Sequence, residues 1–167
     1  VTVDLNSSSA TGGGGADTLN DIENVTGSNS NDTITGDNQG NVLNGEGGAD
    51  TIDGGGGADN IDGGGAKDIL DGEGGNDTLD GGAGNDLILI ATAAHHTTDE
   101  VIIGGEGVDE LRFTATAAST LTLSTQVSGI ERMAIGTGTA AAAVATAGQP
   151  FSYSTVAAPS TFGNSRP

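Results

Sequence analysis

The chain of 167 residues has no cysteine and no tryptophan, three prolines, three phenylalanines, one tyrosine and only four lysines or arginines. Each shortage excludes something. Without cysteine there is no disulfide framework, and no apolar run approaches the ~20 residues of a membrane-spanning helix. No basic stripe offers a footprint for nucleic acid or an anionic membrane surface, so neither nucleic-acid binding nor membrane insertion is expected. Leu, Ile, Val and Phe together number 33 at a net charge of −19, the composition of a polypeptide that cannot bury an ordinary core. Collagen fails as well, because the prolines are few and no strict triplet period runs through the glycines. Stability has to come from something other than apolar burial, and a bound cation is the remaining candidate.

What the chain does have is 31 Gly and 23 Asp or Glu, unevenly spread. Residues 1–110 hold 22 of the acids against the single base Lys67, whereas residues 111–167 hold Glu131 against Arg112, Arg132 and Arg166. From Gly27 to Leu89 the sequence divides without gaps into seven nonapeptides that start at Gly27, Gly36, Gly45, Gly54, Gly63, Gly72 and Gly81. Their sixth position is Asp32, Asn41, Asp50, Asp59, Asp68, Asp77 and Asp86; their eighth is Ile34, Leu43, Ile52, Ile61, Leu70, Leu79 and Ile88. The best copies, Gly54 to Asp62 and Gly81 to Leu89, match G-G-x-G-x-D-x-U-x, where U is a large apolar residue.

On these residues the segment resembles the RTX (repeats-in-toxin) calcium-binding nonapeptide family. The resemblance implies an all-β fold, a parallel β-roll or β-helix solenoid with Ca²⁺ between stacked turns. It covers Gly27 to Leu89 strongly and Gly12 to Asn20 and Gly104 to Arg112 as single copies. The pattern departs at Gly27 to Asn31, at Asn41, which lacks the carboxylate, and at Ala66 and Lys67.

The residues support the same picture on their own. In x-U-x a lone apolar side chain flanked by polar ones makes a three-residue strand with one inward residue, and the preceding six residues form a turn tight enough to need Gly. If two nonapeptides make one coil, residues 18 apart stack at about the ~4.8 Å strand spacing. One edge then stacks Asp32, Asp50, Asp68 and Asp86, the other Asn41, Asp59 and Asp77. Unit charges at that spacing repel by about 1 kcal/mol in water and about 3.5 kcal/mol at an effective dielectric of 20. Calcium between turns collects carboxylates from two coils plus turn carbonyls, here expected from Gly45, Gly54, Gly63, Gly72 and Gly81; Mg²⁺, which wants a rigid octahedron, fits worse. Gaps between stacked turns give five calcium sites, and Asp17 paired with Asp32, Asp86 with Asp109 and Asp77 with Asp99 bring the number to eight.

The flanks read as solenoid with the metal turns thinned out. Residues 1–26 form an N-terminal flank, 27–112 the calcium-binding roll, 113–148 a metal-poor continuation and 149–167 a cap or loose tail. Val1 to Leu5 alternates as a strand, so the chain starts in mid-architecture, and end-to-end self-association is expected of an uncapped solenoid. Leu19 to Val25 is echoed by Val127 to Met133, which suggests a recurring non-metal coil. Strands are expected at Glu110 to Thr114, Thr120 to Leu123 and Arg132 to Ile135. Ala140 to Ala145 reads as a short helix or a strand, inseparable at this length.

Other features take bland readings. The pair His95-His96 has no third ligand in view and reads as a solvated turn. Asp71, at position nine, is expected to point to solvent. No phosphate-loop, G-x-S-x-G or H-E-x-x-H motif occurs, and the regular spacing of the carboxylates is that of ligands, so no catalysis is expected. Two roles remain: a calcium-dependent structural module of a large secreted or cell-surface protein of adhesin or surface-layer type, or the export and folding domain of a type I secreted hydrolase. Both imply an extracellular, Gram-negative setting. No tripartite leader is visible at the start, so the chain is read as a fragment or as exported by another route. Its ending lacks the acidic-then-apolar finish that the family resemblance implies for an uncleaved secretion signal, and the solenoid-like flanks favour the structural module.

Overall fold

A computed structural model describes residues 1–97, 99–114, 120–135, 143–146 and 153–155. The chain winds as a parallel β-solenoid in which alternate nonapeptides feed opposite faces, as the 18-residue stacking requires. One sheet carries Thr33–Thr35, Thr51–Asp53, Ile69–Asp71, Leu87–Ile90, Glu110–Phe113, Arg132–Ile135 and Tyr153–Thr155, in that spatial order. The facing sheet carries Asn24–Ser28, Val42–Glu46, Asn60–Asp62, Thr78–Asp80, Val101–Ile103 and Val127–Ser128. The register within the repeats is strict: Ile34 pairs with Ile52, Ile52 with Leu70 and Leu70 with Ile88 on one face, Leu43 with Ile61 and Ile61 with Leu79 on the other.

Each short strand points its eighth-position side chain inward, because alternate residues of a strand face opposite ways. All seven are buried, and the row continues through Ile102, Leu111, Phe113, Val127 and Met133 into one apolar core. Burying such a side chain contributes about 1.5–3 kcal/mol. The turns stack as well. Gly56–Gly57 pairs with Gly74–Gly75, Ala83–Gly84 pairs with Glu106–Gly107, and bridges join Gly47 to Gly65 and Gly65 to Ala83. Position two of the turn is left-handed in several copies. Gly55 and Gly64 adopt φ 86° and 91° at no steric cost, whereas Glu46 and Glu73 hold φ 69° and 58° with side chains that disfavour it.

After Ile90 the coil lengthens. Asp86 and Asp109 are 23 residues apart rather than 18, and the extra chain forms a short 3₁₀ turn, Ala93–His95, seated on Gly74–Gly75. The N-terminal part departs from the solenoid. Thr2–Asp4 does pair in parallel with Thr33–Thr35, but on its other side the chain reverses through Ser9–Gly12 and Gly15–Thr18 as antiparallel strands. The glycines of Gly12 to Asn20 therefore serve a hairpin turn and not a copy of the nonapeptide.

The echo between Leu19 to Val25 and Val127 to Met133 is not structural equivalence. Ile22 is exposed whereas Ile130 is buried, and Val25 and Met133 lie in different sheets. The strands expected near Glu110, Thr120 and Arg132 are present as Glu110–Phe113, Thr120–Leu123 and Arg132–Ile135. Ala143–Thr146 is a strand paired with Thr120–Leu123, not a helix, so the β alternative holds there; residues 140–142 lie outside the described residues. Of the stretch read as a cap or tail, Tyr153–Thr155 extends the first sheet, and the remainder lies outside the described residues.

Candidate metal centres

The sixth-position residues form two columns along the edges of the solenoid. Every one of them is buried. In the first column each backbone N–H donates to the carboxylate of the next coil: Asp32 to Asp50 Oδ1 at 2.7 Å, Asp50 to Asp68 at 2.8 Å, Asp68 to Asp86 at 2.9 Å and Asp86 to Asp109 at 2.8 Å. In the second, Asn41 N–H donates to Asp59 Oδ1 at 2.8 Å and Asp59 N–H to Asp77 Oδ1 at 2.9 Å. The ladder thus aims one oxygen of each carboxylate along the column and leaves the other free.

That other oxygen has no partner. Oδ2 of Asp50, Asp59, Asp68, Asp77, Asp86 and Asp109 is buried without a hydrogen bond, as is Nδ2 of Asn41. A buried, unpaired ionised carboxylate oxygen is among the costliest groups a protein can carry. Each lies against the first glycine of its own turn. A Cβ on Gly63 would sit 2.8 Å from Asp68 Oδ2 and 2.8 Å from the Gly81 carbonyl; on Gly54, 2.6 Å from Asp59 Oδ2 and 3.1 Å from the Gly72 carbonyl. Likewise the carbonyls of Gly45, Gly54 and Gly63 approach Gly27, Gly36 and Gly45. Two acceptors therefore converge on a space that only glycine leaves open.

Burial pushes these carboxyls up, and nearby like charges, inside and outside the columns, add to it. Asp68 is raised to about 7, with Asp86 and Asp50 as further contributors; Asp59 and Asp77 are raised to about 6. Asp50, Asp86 and Asp109 move in the same direction for the same leading reason. Asp32, at the end of the column, is instead contacted by the Val1 ammonium and by the N–H and hydroxyl of Ser28.

Two expected ligands fall elsewhere. Asp17 is exposed in the N-terminal hairpin, paired across to Ala10, and does not stack on Asp32. Asp99 is exposed and one residue out of register: Thr78 pairs with Val101, so the residue that stacks on Asp77 is Glu100. Glu100 is buried, accepts from Thr97 N–H at 3.2 Å and lies 3.0 Å from His96 Nδ1. On the other edge Glu131 follows Asp109, whose N–H it accepts at 2.9 Å. Neither glutamate sits in a Gly-rich copy, so only their place just before the strands Val101–Ile103 and Arg132–Ile135 could have marked them.

His95-His96 and Asp71 also differ from expectation. His96 is buried, with Nε2 accepting from Ser124 N–H at 3.1 Å, so the His pair is not a solvated turn. Asp71 is half-buried rather than pointing to solvent. Its Oδ1 accepts from Glu73 N–H at 3.0 Å, the same turn-opening bond that Asp53 makes to Gly55, Asp80 to Gly82 and Asn44 to Glu46.

The donor set, carboxylate and carbonyl oxygens only, suits a hard cation that tolerates irregular coordination, which is Ca²⁺. A family comparison agrees. The model of the RTX calcium-binding nonapeptide repeat matches residues 26–61 and again 53–88, the stretch that holds Asp32 to Asp86 of the two columns. Residues 26–88 are RTX calcium-binding repeats. A search among curated proteins gives no match. The RTX array is thus embedded in a longer solenoid, since Asp109, Glu100 and Glu131 continue its columns beyond the matched residues. Among the described residues no helix is long and apolar enough to cross a membrane.

Proposed function

We propose that the chain is a non-catalytic structural module whose solenoid is completed by Ca²⁺ outside the cell, as part of a large secreted or surface protein of adhesin or surface-layer type. The observation that carries this is the row of buried Oδ2 atoms without partners. On this reading Asp50, Asp68, Asp86 and Asp109 on one edge, and Asp59 and Asp77 on the other, hold the ion with the turn carbonyls of Gly45, Gly54, Gly63, Gly72 and Gly81. Asp32 and Asn41 close the columns at their start.

Bound calcium supplies the positive charge that the stacked carboxylates lack. The residues do the rest. The Oδ1 ladder fixes each carboxylate, the first glycine keeps the space open, and the eighth-position side chain clamps the coil from within. Where free calcium is scarce, the columns oppose their own stacking and the chain stays extended and exportable; where calcium is abundant, the coils close. The solenoid's continuation past the RTX array, through Val101–Ile103, Glu110–Phe113 and Arg132–Ile135, supports a spacer or assembly unit.

Circular dichroism in chelator and during calcium titration tests this. We expect little β-structure in chelator and a cooperative gain at about 10⁻⁴ to 10⁻³ M, the range of extracellular modules. A spectrum already rich in β-structure in chelator and unchanged by calcium would refute it.

A further inference from the structure

We propose a second kind of metal site on this solenoid, separate from the calcium columns, in which Asp71, Glu73 and His95 bind a divalent transition ion such as Zn²⁺. One oxygen from each carboxylate and an imidazole nitrogen all lie within 4.8 Å of one another, and all three side chains are half-buried. A second observation points to a ligand independently of the acids: His95 Nδ1 is buried and has no hydrogen-bond partner. A buried imidazole nitrogen is ordinarily paired, and its loss of water without a partner costs free energy.

The chemistry separates this site from the calcium columns. Imidazole is a poor ligand for calcium, which selects oxygen, and a good one for zinc and its neighbours, which accept mixed nitrogen and oxygen donors. Three protein ligands leave a further position for water or for a group from another molecule. The ion has a way in, because Glu73 and His95 line an open groove of about 440 Å³ that also holds Asp37 and Asp53 and no lysine or arginine. Among the described residues the topology makes the site unique to this coil. His95 arrives on the 3₁₀ turn of the lengthened coil, which seats it on the turn that follows Asp71, and the 18-residue coils have no such insertion.

The site needs the folded array and so rests on calcium-induced folding, which the same samples report by circular dichroism. The test is a Zn²⁺ titration of the full chain in saturating calcium, read by calorimetry and by the imidazole nitrogen resonances. We expect one saturable equivalent and a shift of the His95 resonances larger than that of His96. His95→Ala and Asp71→Asn should each weaken zinc binding by about tenfold or more, since losing a direct ligand costs at least as much as losing an outer-shell partner. Both variants should keep the calcium midpoint, because Asn44 shows that asparagine can make the turn-opening bond that Asp71 makes. Zinc uptake that is absent, unsaturable, displaced by excess calcium or undiminished in His95→Ala overturns the proposal. If His95→Ala fails to fold with calcium, His95→Gln and Asp71→Asn decide it by the same criteria.

Discussion

Asp68 and Asp71 are three residues apart and chemically identical, yet the solenoid gives them different work. Asp68 accepts from Asp50 N–H and keeps Oδ2 buried and free, whereas Asp71 opens the next turn through Glu73 N–H. Asp68→Ala removes a ligand and orphans a buried N–H, which alone costs about 1–3 kcal/mol. The calcium midpoint of folding should therefore rise clearly. Asp71→Asn keeps the turn and relieves repulsion with Asp53 and Glu73, so its midpoint should stay or fall slightly. Calcium titrations of both variants by circular dichroism check this, and equal upward shifts would contradict the assignment. Glycines differ in the same way. A Cβ on Gly63 meets Asp68 Oδ2 and the Gly81 carbonyl, but one on Gly74 meets nothing within 4 Å. Gly63→Ala should thus weaken calcium-induced folding, while Gly74→Ala should be neutral or stabilising by about 0.4–1 kcal/mol through its unfolded chain. Thermal melts in saturating calcium rank the two. The columns were readable because Asp, or Asn at 41, recurs at the sixth position every nine residues. The free Oδ2 and paired Oδ1 were not, since composition cannot say which way a carboxylate turns.

At the scale of elements, strand existence followed from x-U-x with little ambiguity. Ile52, Ile61, Leu70 and Leu79 each sit at the centre of a three-residue strand. What failed was inference where the period breaks. The segment Gly12 to Asn20 has the glycines and Asp17 of a repeat, but its apolar position, Leu19, packs only partly against the core, and the chain turns back as a hairpin. Between Ile90 and Val101 no period fixes the count, so the buried carboxylate proved to be Glu100, one residue beyond the Asp99 expected. The element-scale prediction follows: Glu100→Gln and Asp109→Asn, on in-register turns, should each alter calcium-induced folding, whereas Asp17→Asn and Asp99→Asn should leave it unchanged within error. Calcium titrations of the four variants check it. Position-two strain offers another handle. Glu46 holds a left-handed φ that costs an L-residue about 1–2 kcal/mol. Glu46→Gly relieves it at the cost of a more flexible unfolded chain, so a net gain of up to about 1 kcal/mol is expected in calcium melts.

For the whole molecule, protons and calcium each stabilise the columns and compete for the same carboxylates. Carboxyls such as Asp68, raised to about 7, and Asp59 and Asp77, raised to about 6, bind protons more readily folded than unfolded. Their contribution to the calcium-free fold is then fully present below their ordinary value of about 4 and is lost as pH rises through 6 to 7. Calcium needs the same groups deprotonated, so its affinity should fall over that window as pH drops. Chelated protein should gain β-structure on acidification toward pH 4, while the calcium midpoint rises; circular dichroism at a series of pH values reads both. The most direct measurement of the central claim is an anomalous difference map from crystals of the calcium-loaded chain. The account predicts a row of peaks along each edge, each between an Asp Oδ2 of the set Asp50, Asp59, Asp68, Asp77 and Asp86 and the turn carbonyl of a neighbouring coil. Peaks confined to the outer groove at Asp37, Asp53 and Glu73, with the columns empty, would contradict it.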